Sequence, residues 1–308
     1  MSPYTPLITP KAKTFTLGDW WVAFLSIALA LLLTSCGGGG TSGASTSDSI
    51  GTSDPTLPPA ANPNTSTNVS PGVYTALWID PSDKITKTIT SVVMQTSTTS
   101  PVSAQFYALY FNSPSDPDIY SGSLSGIGSN SAVINSLGYF QNGTGTLRTG
   151  TATLTVPEAG RLDTSVSYAS MSTDGPRSWS ANPESSLKQD TPAAISSIQG
   201  KWTGRWSYAY GFAENFTVNI SDTGTVSSFM TFQSDCQITN GNVAPAIGGV
   251  NLFNLSFNVP NATQCFVKGQ SLTGAAYITR STIPGKTQQL QWVATAPSGR
   301  GISFRADR

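Results

Sequence analysis

The chain has 308 residues, room for two domains of ordinary size, and only 10% of them are charged, while Gly, Ser and Thr abound. That balance belongs to an exported β protein rather than a helical one. Sixteen basic residues offset sixteen acidic ones, and histidine is absent, so no bulk attraction to nucleic acid follows and the usual general base, the Ser-His-Asp and Cys-His nucleophiles and imidazole metal sites are all removed.

At the N-terminal end, Lys11 and Lys13 precede an apolar run from Trp20 to Leu33, which stops at Leu33-Thr34-Ser35-Cys36. About 14 apolar residues fall short of the roughly 20 that span a bilayer, so residues 1–35 read as a cleaved export signal rather than a retained anchor. The four residues at its end resemble the lipobox of bacterial lipoproteins. The resemblance implies that Cys36 takes a palmitate-type lipid and ties the mature protein to a membrane outside the cytoplasm. Gly37, and not Asp, follows Cys36, which in that family implies the outer membrane.

From Gly37 to about Ser70 the chain is Gly, Ser, Thr, Pro and Asn, too poor in apolar surface to offset the entropy of ordering. Residues 36–71 therefore form a lipidated, flexible tether, with an end-to-end distance of roughly 30 to 35 Å as a random coil.

Beyond the tether, Gly72-Val73-Tyr74-Thr75-Ala76-Leu77-Trp78 recurs as Gly200-Lys201-Trp202-Thr203-Gly204-Arg205-Trp206. Later, Thr149-Gly150, Val166 and Tyr168 match Thr273-Gly274, Leu290 and Trp292, and Gly175 and Trp179 match Gly299 and Phe304. The order is kept, so one pattern is used twice, in a module over 72–190 and another over 200–308, with a linker at 191–199.

Each copy reads as mostly strand, by alternation of period two. In the second, Trp202, Trp206, Tyr208 and Tyr210 share one face, and Phe216, Val218 and Ile220 alternate with polar residues. A strand from Thr225 follows the turn Asp222-Thr223-Gly224; Phe253 to Val259 alternate again, and strands are expected near 272–279, 288–295 and 302–306, with a loop over 240–249. About eight short antiparallel strands per copy make an all-β chain of two tandem small β-barrels, or two-sheet sandwiches as the alternative. The opening Gly200-Lys201-Trp202 and the arginine Arg305 in the last strand resemble the start and the closing basic residue of the calycins, the lipocalins and avidins. The resemblance implies a barrel and a structural Trp202, plugging one end beneath Arg305.

Export leaves Cys236 and Cys265 as an even pair in an oxidising compartment, which reads as a disulfide. Closing a loop of about 30 residues would stabilise its module by roughly 3 to 4 kcal/mol. Two thiols without further partners do not make a metal site, and no cofactor motif occurs: Gly126-Ile127-Gly128 lacks the third glycine of a dinucleotide fingerprint.

Two fragments have enzyme-like spacing. Ser185-Ser186-Leu187-Lys188 has the S-x-x-K interval, though in a linker, and Asp116-Pro117-Asp118 offers two carboxylates within what reads foremost as a turn. Trp206, Tyr208 and Tyr210 are the candidate ligand contacts, with core filling as their plainer role. The first copy holds 6 basic and 9 acidic residues and the second 8 and 4, so the second carries the positive charge. The expectation is a non-catalytic, membrane-tethered envelope module with a protein, glycan or small apolar ligand as partner; the competing expectation is a carboxylate-dependent hydrolase of envelope glycans.

Overall fold

The computed structural model describes residues 62–308, except 81–83, 100–101, 114–115, 142–143, 169–175, 188, 209–210, 230–235, 249, 264 and 266. Cys36, the signal and most of the tether lie outside the described residues. Side-chain alternation curls the chain into two closed antiparallel barrels of eight strands each. The first runs β1 (Gly72–Ile79), β2 (Thr86–Gln95), β3 (Ala104–Ser113), β4 (Asp116–Leu124), β5 (Ser131–Gln141), β6 (Thr146–Thr155), β7 (Leu162–Tyr168) and β8 (Ser178–Pro183). After the one-turn helix α1 (Ile195–Ile198) come β9 (Gly200–Tyr208), β10 (Gly211–Ile220), β11 (Thr225–Phe229), β12 (Thr239–Pro245), β13 (Phe253–Asn258), β14 (Ser271–Arg280), β15 (Gln288–Thr295) and β16 (Gly301–Asp307). Each strand pairs with the next and the eighth returns to the first, which removes sheet edges; the sandwich alternative is set aside.

The repeat seen in the sequence maps onto equivalent strands. Thr149-Gly150 lies in β6 and Thr273-Gly274 in β14, at points where a Cβ would collide with the carbonyl oxygen of Ser167 or Val293 on the next strand. Only glycine allows that approach. At the start of each barrel the aromatic ring donates a hydrogen bond four residues back: Tyr74 Oη to the Ser70 carbonyl at 2.9 Å, and Trp202 Nε1 to the Ile198 carbonyl at 2.7 Å.

Over the Trp202 ring stands Arg308, its guanidinium 4.0 Å from the ring centroid. It also donates to the carbonyls of Gln199 and Ser197, at 2.6 and 2.8 Å. The expected closing residue, Arg305, points outward instead, because it falls on the opposite parity to the buried Phe304 and Ala306. The residues 195–199, expected as plain linker, thus form the plug of the second barrel.

The seams differ. The second barrel closes over four residue pairs of β16 and β9, the first over only two, Tyr74 with Pro183 and Thr75 with Asn182. Beyond that short seam the Gln189 side chain continues the ladder: Val73 N–H donates to its Oε1 at 2.7 Å, and its Nε2 donates to the Val73 carbonyl at 2.8 Å.

The expected loop over 240–249 is a strand for half its length, β12, preceded by a register shift between Thr239 and Asn242. Asn240 takes φ 50° there, so Asn240-Gly241 is a bulge in a continuing strand and not a hairpin turn. Cys236, just before β12, is bonded to Cys265 in the β13–β14 connection, with Cα atoms 5.4 Å apart.

Strand β3 is apolar on both parities. Phe106, Ala108 and Tyr110 face the first barrel's interior, while Tyr107 and Leu109 join Val92, Ile119 and Phe140 in a second cluster on its outside. That outer cluster packs on Leu252, Ala275, Tyr277 and Val293 of the second barrel. Tyr107 hydrogen-bonds Thr273, and Tyr277 hydrogen-bonds Thr90, across the junction. Burial pushes the Tyr107 hydroxyl up to about 12 and that of Tyr277 higher still.

Candidate functional site

The aromatic face of β9 is spent on the core. Trp206 is 5% exposed, 4.5 Å from the Phe216 ring and 6.0 Å from Phe257, while Trp292 and Phe304 fill the space beside them. Gly204, between Trp202 and Trp206, leaves room where the Arg305 carbonyl crosses. The Tyr208 side chain and the whole of Tyr210 lie outside the described residues.

Asp118 does not sit in a turn; it is the third residue of β4 and points into the mouth of the first barrel, 4% exposed. Tyr139 Oη donates to its Oδ2 at 2.6 Å, and the Tyr139 ring stacks on Tyr120 at 4.7 Å, with Tyr168 5.5 Å away. Burial first, and the Asp118 charge second, hold the Tyr139 hydroxyl protonated far above its ordinary range. Nearby, Lys87 is bonded to Asp80 at 2.5 Å, and Tyr110 Oη donates to the same carboxylate oxygen at 3.3 Å. Burial, partly offset by Lys87, moves Tyr110 up to about 12. These groups satisfy one another, so the mouth is a packed polar layer.

In the S-x-x-K fragment, residues 185–187 form a turn and not a helix, so the spacing brings no lysine onto a shared helical face; Lys188 lies outside the described residues. Ser186 serves its neighbour instead: its N–H and Oγ donate to Glu184 at 3.0 and 2.7 Å, and Thr75 Oγ1 donates at 2.7 Å. Against the effect of burial, those donors hold the Glu184 carboxyl below its usual value.

The concave site lies between the barrels, where the outer face of β9, β15 and β16 meets the rim of the first barrel. One cavity of about 490 Å³ is bounded by Leu109, Phe111 and Pro117 on one side and by Arg205, Lys286, Gln291, Ser303, Arg305 and Asp307 on the other. A second, of about 600 Å³, has Thr75, Thr88, Thr90, Glu184 and Ser186 facing Thr279, Arg280, Gln289, Gln291 and Arg305. Phe111, Gln291 and Arg305 border both, so the two are halves of one groove. Each half is of the size that holds small ligands.

The lining combines apolar side chains, among them Leu109, Phe111, Pro117 and Ile283, with hydroxyl, amide and guanidinium groups. Arg205 and Arg305 stand directly opposite each other across the seam. Asp307 Oδ1 accepts from Ser281 Oγ at 2.6 Å and from Gln289 Nε2 at 2.8 Å, two neutral donors on one carboxylate oxygen.

The sequence reading did not find this groove. Its signal was available in the doubly apolar run from Phe106 to Phe111, since a strand buried on both faces must meet a neighbour on its outer side. Among the described residues no group of three His, Cys, Asp or Glu is placed to hold a metal, and no helix is long and apolar enough to cross a membrane. Comparison with protein-family models, with curated proteins and with solved structures finds no match.

Proposed function

We propose that the protein is a lipid-tethered binding protein of the cell envelope, anchored through Cys36 to the outer membrane, and that its ligand lies in the groove between the barrels. The observation that carries this reading is the contrast between the two kinds of space. Both barrel interiors hold close-packed aromatic side chains, as Trp206, Phe216 and Trp292 do in the second. The groove by contrast is open, of ligand size, and sets hydrogen-bonding groups among apolar side chains. A binding role needs no titrating pair, and the carboxylates bordering the groove, Asp307 and Glu184, are each held by neutral donors. The hydrolase reading needs one acid and one base facing a common space, whereas Asp307 borders one half of the groove and Glu184 the other.

The test has two arms. Cys36→Ala abolishes labelling by radioactive fatty acid and releases the protein from membranes; continued labelling refutes the anchor. Thr203 is an exposed residue of the groove wall, so Thr203→Trp fills that half without touching the core. Native mass spectrometry of protein purified from envelopes finds a bound small molecule on the wild type that is lost from this variant. A ligand retained in the variant, or none on the wild type, overturns the groove as the site.

A further inference from the structure

Resting on that reading, the distribution of charge along the groove specifies the chemistry of its ligand. Among the described residues, three cations of the groove have no carboxylate partner: Lys286 in the first half, Arg305 at the junction and Arg280 in the second half. Lys87, by contrast, is neutralised by Asp80. Arg305 also stands opposite Arg205 across the seam. Guanidinium groups take carboxylates in bidentate fashion.

The positive charges are divided between the halves of the groove, Lys286 in one, Arg280 in the other and Arg305 where they meet, which matches an anionic group repeated along a chain and not a single headgroup. Between them, beside the carboxylates of Glu184 and Asp307 that neighbouring hydroxyl and amide donors hold, Thr75, Thr88, Thr279, Ser303 and Gln291 offer donors and acceptors at the spacing of strand residues. Phe111, at the junction, supplies one flat apolar surface.

We propose that the groove binds an acidic oligosaccharide, its carboxylates taken by Lys286, Arg305 and Arg280 and one of its rings lying against Phe111.

Titration calorimetry on the full chain in detergent micelles tests this with four probes: a short oligogalacturonate, a neutral maltooligosaccharide of equal length, inorganic pyrophosphate and single-stranded oligodeoxythymidylate. The oligogalacturonate binds about tenfold or more tightly than the neutral sugar, and its affinity falls as salt rises. Arg305→Gln weakens it by about tenfold, Arg280→Gln and Lys286→Gln each by less, and Arg161→Gln, far from the groove, leaves it unchanged. Circular dichroism melting of each variant checks that the fold is kept. Equal binding of the neutral sugar that Thr203→Trp blocks would overturn the charge assignment and leave the groove standing. Preference for pyrophosphate or the oligonucleotide would overturn the saccharide assignment. Indifference to Arg305→Gln, or no binding of the oligogalacturonate, would overturn the proposal outright.

Discussion

Arg308, whose Nε also donates to Gln288 Oε1 at 2.9 Å, closes the second barrel on Trp202 and α1 with three contacts at once: a face-on approach to Trp202 and two hydrogen bonds to carbonyls that the one-turn helix leaves without partners. Arg308→Ala removes all three and exposes the indole, and should cost about 2 to 4 kcal/mol, seen as a lower denaturation midpoint; Arg308→Lys recovers only part, because an ammonium cannot reach both carbonyls in one plane. A change within a few tenths of a kcal/mol would mean that the plug is held by Ile198 alone. Glu184 gives a pH dependence. Its carboxyl titrates below the ordinary value in the fold, so its contribution is present above pH about 4.5 and is lost as pH falls through the lowered native value. The difference in melting temperature between the wild type and Glu184→Gln should therefore be present at neutral pH and shrink on acidification below that point. A gap that widens in acid would refute the assignment. At this scale the sequence was partly readable: Trp202 declared itself through Gly200-Lys201-Trp202, but the choice between Arg305 and Arg308 turned on the parity of the last strand, which only the pairing of Phe304 with Trp206 decides.

Alternation made most strands legible, since Phe253, Leu255 and Phe257 or Phe216, Val218 and Ile220 bury one face with period two. β12 was hidden because Thr239-Asn240-Gly241-Asn242 has turn composition, yet the segment bulges and goes on pairing with β13. Gly241 lies so close to the Val226 carbonyl that no side chain fits, a tertiary reason for glycine that imitates a local one. The Cys236–Cys265 bond spans this irregular strand, tying its start to the β13–β14 connection across 29 residues. Such a loop is worth about 3 to 4 kcal/mol on the chain-entropy model, so replacing both cysteines by serine should speed amide exchange in β11, β12 and β13, while the amides of β3 to β5 keep their protection. Equal acceleration in both barrels would refute a local role. The first barrel has no disulfide and leans on Gln189 at its two-pair seam. Gln189→Leu leaves the Val73 N–H buried without an acceptor and should cost about 1 to 3 kcal/mol, with β1 and β8 exchanging fastest; unchanged exchange there would show that the two pairs suffice.

Two closed barrels need not touch, and the repeat alone says nothing of how they meet. What joins them here is an outer face that the duplication did not copy. Tyr107, Leu109 and Phe140 are apolar at outward positions of β3 and β5, where β11 and β13 of the second barrel carry polar residues such as Ser227, Asn254 and Ser256. Their partners, Ala275, Tyr277 and Val293, sit on β14 and β15. The joint therefore pairs unlike faces of the two copies, and the groove follows from it, because two convex surfaces pressed together along one line leave a cleft beside the contact. The excess positive charge of the second half enters that cleft through Arg280, Lys286 and Arg305. Tyr277 is the central residue of the joint, fully buried, with its hydroxyl bonded to Gln291 on its own barrel and Thr90 on the other. Tyr277→Ala removes a ring from a packed interface and leaves two polar partners unanswered, a loss of about 3 to 5 kcal/mol by analogy with other large aromatic truncations. Because the ring belongs to neither barrel's interior, the loss should appear on both sides: faster amide exchange in β3 as well as in β14, together with weaker ligand retention in the groove, while the Trp202 and Trp179 environments reported by near-ultraviolet circular dichroism persist. Acceleration confined to β14 would mean that the barrels do not support one another, and the groove would then be an accident of two independent surfaces.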